Sequence, residues 1–333
     1  MSFLSRRTLL SAALGGFAGS VVETTRHASA QTYPFNRPIV MVIPWPPGGI
    51  TDTAGRIIAA RLSIELGQPV VVENRSGAAG TIGHNVVARA DPDGHTLLLA
   101  TNSTYAMVPY LYKKLPYDNE TAFTPIGLVM KSPQILCAHP SVPAKDIPSF
   151  LDYVRAGQPG SVSFESSGPG SSSHLAMELF LSMTKTTMLH VPYRGGGPAL
   201  LALASGEVNV GFVDAIVALP MARGGKIQML GVSTNERMPL APDLPTIAES
   251  GVPGFQSSTD VALFAPAKTP ATIIQRLSAA LLVVLKSPEV HAQFRKLGVF
   301  TVGGSPDQFA AYYAQESAKW GEIIRSRGIT MSQ

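Results

Sequence analysis

The sequence predicts an α/β fold with a parallel sheet. Short apolar runs that are typical of buried strands alternate along the chain with segments whose apolar residues recur at helical spacing. Loops rich in glycine or serine join three of these runs to the helix that follows. The chain has 333 residues, of which 45% are hydrophobic and only 14% are charged, so it is long and apolar enough for two globular domains.

The first strand, loop and helix form the unit around which the chain is organised. The apolar run Ile39–Ile43 predicts a buried strand, and apolar residues at every fourth position predict a helix over Thr53–Leu66. In the loop Pro44–Asp52, adjacent prolines stiffen the backbone and adjacent glycines leave its N–H groups unshielded, while Thr51 or Asp52 can cap the helix. Such a helix N-terminus can bind an anion, although an ordinary turn has the same pattern.

The same arrangement recurs twice in the second half of the chain. The segment Gly160–His174 has the pattern of a strand, a loop of glycines and serines, and a helix start for which Ser172 or Ser173 is a good N-cap. The strand Leu189–Tyr193 precedes Arg194–Pro198, which opens another helix with a proline in its first turn. Taken alone, the serine-rich loop fits a flexible surface segment better. Three such helix starts together favour a site that holds an anion without reacting with it.

The remaining elements continue the alternation. The other predicted strands are Pro69–Arg75, His95–Ala100, Ile126–Met130, Pro133–His139, Val208–Val213, Ile227–Ser233 and Asp260–Ala265. The other predicted helices are one that ends at Ala90, then Pro143–Ala156, Ala199–Ala204, a short one at Thr246–Ser250, Pro270–Lys286 and Pro306–Arg327. Ligands on parallel sheets bind beyond the carboxyl ends of the strands, and both the loop Pro46–Asp52 and the polar loop Thr101–Thr104 fall at such ends.

The first 30 residues have the composition of an export signal. Arg6 and Arg7 supply a charged start, a short apolar core follows, and Ala28–Ala30 is a small-residue cleavage site. The arginine pair resembles a twin-arginine signal, and a general secretory signal with two chance arginines is the open alternative. No cysteine follows the apolar core, which argues against a lipid anchor there. The sequence therefore predicts an exported soluble protein whose fold excludes residues 1–30.

Charge and cysteine content exclude several classes of function. The net charge is +4, of which +2 falls in residues 1–30, so the rest carries only about +2. No cluster of lysine and arginine with interleaved aromatic residues is present, so we predict no nucleic-acid partner. Cys137 is the single cysteine, which excludes an intramolecular disulfide and a cysteine-based metal site.

Motifs for catalysis and for cofactors are also missing. The sequence contains no G-x-S-x-G, no H-E-x-x-H and no pair of carboxylates that stands out as an acid and a base. Glycines at 77, 80 and 83 do not match G-x-G-x-x-G, so no nucleotide cofactor is predicted. His174 directly follows serines, which fits a helix cap better than a nucleophile with its base. Asp52 and Asp214 can each hydrogen-bond a water or an ammonium group of a ligand, or serve as turn or cap residues. We therefore predict no enzyme, no metal and no cofactor.

Five sequence blocks between about Pro34 and the C-terminus are more specific together than any single motif. They are Pro44-x-Pro46-x-Gly48-Gly49-x-x-Asp52-x-x-x-Arg56; Val72-Glu73-Asn74-Arg75-x-Gly77-Ala78-x-Gly80-x-Ile82-Gly83; Pro92-Asp93-Gly94-His95-Thr96-Leu97-Leu98; His190-Val191-Pro192-Tyr193-Arg194-Gly195-Gly196-Gly197-Pro198-Ala199-Leu200; and Leu244-Pro245-Thr246-Ile247-Ala248-Glu249-Ser250-Gly251-x-Pro253-Gly254-Phe255. This pattern resembles the Bug family, the extracytoplasmic solute receptors of tripartite tricarboxylate transporters. His95 stands where the family usually has Tyr, and Trp45, where Phe or Tyr is usual, can reshape the pocket wall.

The resemblance implies a periplasmic binding protein of type II topology. In that α/β fold, two lobes are joined by two crossover strands, and the ligand binds in the cleft between them. The implied boundaries place residues 31–129 and 259–333 in lobe 1 and residues 130–258 in lobe 2. The family's ligands are mostly small carboxylates: amino acids, di- and tricarboxylates, and aromatic acids.

The resemblance also implies which residues bind the ligand. In the family, the loops that match Pro46–Asp52 and Ser166–His174 grip the ligand carboxylate through backbone amides and bridging waters. The predicted ligand-binding residues are Trp45, Pro46, Pro47, Gly48, Gly49, Thr51, Asp52, Thr101, Asn102, Ser103, Ser167, Gly168, Ser172, Ser173, His174, Tyr193 and Asp214. Arg75 and Arg194 can pair directly with a carboxylate, although surface or structural roles fit them better.

We therefore expect a monomeric periplasmic receptor that closes on a small carboxylate and delivers it to membrane permease subunits. A receptor that signals to a sensor kinase is the alternative that sequence leaves open, and an exported enzyme acting on a small organic acid is the third. The polar loops suggest a small acid, while Trp45 also suits an aromatic one.

Overall fold

The computed structural model describes residue 33 and residues 36–330. The predicted export signal over residues 1–30 lies outside the described residues, so it stays a prediction.

Ten strands are found in the described residues, and they form one mixed sheet. They are β1 (Ile39–Ile43), β2 (Val70–Asn74), β3 (Thr96–Thr101), β4 (Phe123–Ala138), β5 (Ser163–Ser166), β6 (Leu189–Pro192), β7 (Val210–Asp214), β8 (Gln228–Val232), β9 (Ser258–Pro266) and β10 (Phe300–Thr301).

The helices lie between these strands, so the predicted α/β class is confirmed. They are α1 (Ile50–Leu66), α2 (Thr81–Ala88), α3 (Val108–Leu111), α4 (Ile147–Ala156), α5 (Ser172–Thr184), α6 (Gly196–Ser205), α7 (Ala215–Arg223), α8 (Ala271–Lys286), α9 (Pro288–Lys296) and α10 (Pro306–Ser326). Within the described residues no single helix has both the length and the apolar composition of a membrane span; the bent pair α8 and α9 meets those two criteria only jointly.

The sheet contains two parallel groups joined by long antiparallel strands. Its order is β2-β1-β3-β9-β4-β7-β5-β6, with β8 and β10 pairing to β4 off this path. Strand β1 pairs in parallel with β2 and β3, and β5 pairs in parallel with β6 and β7. Strand β9 is antiparallel to β3 and β4, and β4 is antiparallel to β7. Because the sheet is mixed, the prediction of a parallel sheet is right only within each group.

A single 16-residue strand, β4, replaces two strands predicted from sequence. It pairs with β9 from Phe123 to Pro133 and with β7 from Gln134 to Ala138. Lys131 and Ser132, between the two predicted strands, continue the pairing with β9, and a register shift next to Pro125 accommodates that residue within the ladder. Strand β4 therefore passes continuously from one parallel group to the other.

Two other differences from the predicted elements have local causes. Thr246–Ser250 is a turn instead of a helix, and Thr246 Oγ1 accepts a hydrogen bond from the N–H of Glu249 there. Helix α4 begins at Ile147 and not at Pro143, because Asp146 forms a capping box with Ser149.

Apolar clusters hold both halves of the sheet rigid. In one cluster, Ile58 and Leu62 of α1 lie with Leu277 of α8 against β1 and β3. In another, Phe150 and Phe180 pack between α4, α5 and the strands β5 and β7. Each fully buried side chain of this kind contributes about 1.5–3 kcal/mol through removal of apolar surface from water. The strand ends that lie between the two parallel groups therefore have fixed positions, as a binding site requires.

Candidate functional site

A cavity of about 650 Å³ lies where β1, β3, β5 and β7 end. This volume is in the usual range for small-ligand sites, and the position is the one at which α/β sheets bind ligands. The residues that follow β1 and β3 line one part of it, those that follow β5, β6 and β7 line most of the rest, and a few residues within strands complete the lining.

The structure brings most of the predicted ligand-binding residues together at this cavity. Those that line it are Trp45, Pro46, Pro47, Gly48, Gly49, Thr51, Thr101, Ser103, Ser167, Ser172, Ser173 and Asp214. Five others do not line it: Asp52, Asn102, Gly168, His174 and Tyr193.

Helix α1 begins at the cavity, directly after the loop predicted to bind an anion. Gly48 has a φ of +87°, which glycine adopts without strain, and Gly49 is an extended N-cap with no side-chain capping bond. Within the described part of the chain, the N–H groups of Gly49, Ile50 and Thr51 have no hydrogen-bond partner. Three backbone donors at the positive end of a 17-residue helix are therefore available to an anionic ligand.

Three more helices begin at the same cavity. Ser171 caps α5, with its Oγ accepting from the N–H of His174 at 3.3 Å. Helices α6 and α7 have Gly195 and Asp214 as N-caps, and neither has a side-chain capping bond. The sequence predicted the starts of α1, α5 and α6, and it missed α7 because no glycine or serine loop precedes Ala215. Four helix N-termini thus give this cavity a positive potential of backbone origin.

Hydrogen bonds to Asp52 stabilise the conformation of the loop that precedes α1. Its carboxylate accepts the N–H of Gly48 at 2.9 Å, two nitrogens of Arg56 at 3.1 and 2.9 Å, and the amide of Asn74 at 3.0 Å. Burial would raise the pKa of Asp52, but hydrogen bonds from Arg56, Gly48 and Asn74 outweigh it and lower the pKa. Asp52 is therefore ionised and fully occupied by protein donors.

Trp45 closes the cavity beside the end of β3. Its indole N–H donates to Thr101 Oγ1 at 3.0 Å, and Thr101 Oγ1 lies 2.7 Å from Ser103 Oγ. The amide of Asn74 donates to the Trp45 carbonyl at 3.0 Å. These bonds fix the ring, so Trp45 presents a rigid apolar face to a ligand.

The predicted residues outside the lining support those within it. Asn102 donates to the Ser258 carbonyl at 2.9 Å and so ties the end of β3 to β9. His174 Nδ1 accepts the N–H of Gly170 at 3.1 Å, and its ring stacks on His190 at 4.0 Å. Tyr193 donates to Glu207 at 2.7 Å, away from the cavity, and Gly168 takes a φ of +124° within the serine-rich loop. Their direct contact with a ligand stays a prediction.

Several lining residues were absent from the predicted set. Gln134, Glu165 and Thr259 come from strands, Phe212 and Ile216 flank the start of α7, and Gly195–Pro198 with Arg194 form the start of α6. The glycines at the start of α6 were recognised in the sequence as the opening of a helix, and this was a signal that could have added them to the predicted set. Glu165 lay in a predicted strand, and an acid at the end of that strand, next to the glycine- and serine-rich loop, was the signal available.

Glu165 and Asp214 are two acids that line the same cavity. Burial raises the pKa of Glu165 to about 8, and the nearby charge of Asp214 adds to the shift. Burial also raises the pKa of Asp214 to about 6, although hydrogen bonds from Thr259 and Ser132 oppose it. Among residues 33 and 36–330, no group of three His, Cys, Asp or Glu side chains is arranged to hold a metal ion.

Comparison with known proteins places these features in a family. Residues 54–329 match the model of the tripartite tricarboxylate transporter family receptor. The protein BugT of Bordetella pertussis is 36% identical over 301 residues, which cover 90% of this chain and 92% of BugT.

Two solved structures with bound carboxylates are also similar. Rpa4515 of R. palustris, solved with adipate, is 34% identical with a TM-score of 0.82, over 90% of this chain and 99% of that one. MatC of Rhodopseudomonas palustris, solved with malate, is 35% identical with a TM-score of 0.77, over 86% of this chain and 99% of that one. These likenesses confirm the predicted fold of a periplasmic binding protein.

Proposed function

We propose that this protein is a periplasmic receptor for a small carboxylate. The premise is that the chain belongs to the tripartite tricarboxylate transporter receptor family, which includes the Bug proteins. Members of this family are solute-binding receptors and not enzymes. Two similar proteins were solved with the carboxylates adipate and malate.

The observation that carries the proposal is the convergence of four helix N-termini on one cavity. Backbone N–H groups without protein partners at the start of α1 are suited to a carboxylate, since each donates a charge-assisted hydrogen bond. Such a site needs no buried arginine. Among the described lining residues, Arg194 is the sole cationic side chain, and it is exposed.

We further propose that the ligand is captured when the two lobes close, and that the receptor then delivers it to a membrane permease. Lobe 1 comprises residues 31–129 and 259–333, and lobe 2 comprises residues 130–258. Strands β4 and β9, which link the two parallel groups, are the elements at which such a hinge motion would bend. Export through the signal in residues 1–30 and action as a monomer belong to the same proposal.

Gly49→Pro removes one backbone N–H donor from the start of α1 and so tests whether this helix N-terminus binds the ligand. Proline lacks an N–H, and the φ of −77° at Gly49 suits its ring. We expect Gly49→Pro to weaken carboxylate binding about 10-fold or more, because a hydrogen bond to a charged group contributes about 1.5–3 kcal/mol. Gly49→Ala is the matched control: a Cβ there meets nothing within 4 Å, so its affinity should be close to that of the parent protein.

Isothermal titration of both variants with the same carboxylate gives the comparison. Equal affinity of the proline and alanine variants would show that the α1 N-terminus does not hold the ligand. Native mass spectrometry of the protein purified from its own host provides the first ligand to titrate, and a released nucleotide would contradict the proposal.

A further inference from the structure

Glu165 is a buried acid with its carboxyl group at the cavity and no partner in the described chain. Its side chain is 2% exposed, and it lines the cavity from the end of β5. No hydrogen bond or ion pair to the Glu165 carboxyl group is formed by residues 33 and 36–330. A charged or polar group buried in this way normally has a partner, so its absence points to one supplied by a ligand.

The sheet makes room for this side chain. Glu165 lies opposite Gly211 in the β5–β7 register, and a Cβ on Gly211 would come within 2.1 Å of Glu165 Oε1. The carboxyl group therefore packs over the bare backbone of β7. Glycine at 211 is what permits an acid here.

Asp214 supplies a second carboxyl group three residues along β7. Its Oδ1 accepts long hydrogen bonds from Ser132 at 3.4 Å and Thr259 at 3.3 Å, and its Oδ2 has no donor among the described residues. We call Glu165 and Asp214 the acidic pair. The charge of Asp214 acts on Glu165, and no cation among the described residues forms an ion pair with either acid.

We propose that the acidic pair binds a protonated amine, so that the preferred ligand is a carboxylate with an ammonium group at its other end. This inference rests on the proposed function, in which the helix N-termini hold the carboxylate. The ligand's amine would supply the donors that Glu165 and Asp214 Oδ2 lack, as a charge-assisted hydrogen bond requires.

The charge of the pair disfavours a second carboxylate at this end of the ligand. With pKa values of about 8 and about 6, the two groups together carry about one negative charge at neutral pH, most of it on Asp214. A dicarboxylate would bring a like charge to Asp214, whereas a protonated amine would neutralise that charge and favour ionisation of Glu165. Trp45, Phe212 and Ile216 line the same cavity and suit an apolar body between the two charged ends.

Ligands matched in length test this inference directly. The pairs are succinate with 4-aminobutanoate, glutarate with 5-aminopentanoate, and adipate with 6-aminohexanoate, titrated at neutral pH by calorimetry. Within the pair that contains the tightest ligand, we expect the amino acid to bind about 10-fold more tightly than the dicarboxylate.

Variants of the acidic pair identify its role in that preference. Glu165→Gln keeps the shape and removes the group that ionises when an ammonium binds beside it, so it should weaken the amino acid about 10-fold and leave the dicarboxylate as tight or tighter. Asp214→Asn should act in the same direction. Glu322→Gln, an exposed acid on α10, is the control that should change neither ligand. Thermal unfolding of each unliganded variant verifies that it is folded.

The outcomes separate this inference from the proposed function. Tighter binding of the dicarboxylate within the pair that contains the tightest ligand, or an unchanged preference in Glu165→Gln, would overturn the role of the acidic pair while the receptor assignment stands. Binding of no carboxylate at all would instead count against the proposed function.

Discussion

The α1 loop, Pro46–Asp52, and the acidic pair, Glu165 and Asp214, lie at the same cavity but offer a ligand opposite kinds of unpaired group. In the loop, the carboxylate of Asp52 accepts hydrogen bonds from Gly48, Arg56 and Asn74, and the unpaired groups are backbone donors. In the acidic pair the unpaired groups are carboxyl oxygens, and no cation in the described part of the chain forms an ion pair with them.

This difference separates the groups that suit any carboxylate from the groups that suit only part of the possible ligands. Donors at helix N-termini suit any carboxylate, because they interact only with its charge and its two oxygens. Side chains such as Glu165 respond to the remainder of the ligand. In the proposed receptor we therefore attribute general affinity to the backbone donors, and selectivity to Glu165 and Asp214.

The same substitution in each region should have opposite effects on stability. Asp52→Asn removes the charge that fixes Gly48, Arg56 and Asn74, and we expect it to lower the free energy of unfolding by about 3 kcal/mol. Asp214→Asn should leave it unchanged or raise it at neutral pH, because burial disfavours the Asp214 carboxylate. Urea denaturation of both variants measures the difference. Similar losses in the two variants would show that the acids share one role.

The pH dependence of stability sharpens the comparison further. The pKa of Glu165 rises from 4.5 in a free side chain to about 8 in the fold, so its contribution is present below pH 4.5 and is lost as the pH rises through 8. Glu165→Gln removes this titration. Relative to the parent, the variant should therefore gain about 3–4 kcal/mol of stability between pH 5 and pH 8.

Urea denaturation of the unliganded proteins across this pH range gives the test, with Glu322→Gln as the control that should follow the parent. If the free energy of unfolding changes with pH in the same way for Glu165→Gln and the parent, the Glu165 carboxyl group is solvated in the folded protein.

Sequence reasoning predicted the α1 loop better than the acidic pair for a physical reason. Pro46, Gly48 and Gly49 act locally, since they dictate the loop and the bare helix start through their own backbone preferences. The alternation of strands and helices is local as well, and the α/β class followed from it. The long strand β4 was missed because its continuity depends on pairing with β9 and β7, which lie far away in the chain.

The role of Glu165 depends on a non-local arrangement. Its burial requires Gly211 opposite it and Asp214 nearby, and neither neighbour can be inferred from a window around β5. Asp52 shows the converse. Its carboxylate was open to a ligand or a structural role on sequence grounds, and the contacts with Arg56 and Asn74 give it the structural one.

The two arginines offer the smallest contrast, since both were candidates to pair with a carboxylate. Arg194 lines the cavity and is exposed, whereas Arg75 lies outside the lining and forms an ion pair with Glu73. We expect Arg194→Ala to weaken carboxylate binding about 3-fold at low salt, because an exposed charge pair contributes at most about 1 kcal/mol. The loss should shrink as salt screens the charge, while Arg75→Ala should bind as the parent does. Titration of both variants at low and high ionic strength measures this, and a loss of more than about 100-fold in Arg194→Ala would mean that a side chain, and not the helix N-termini, dominates carboxylate binding.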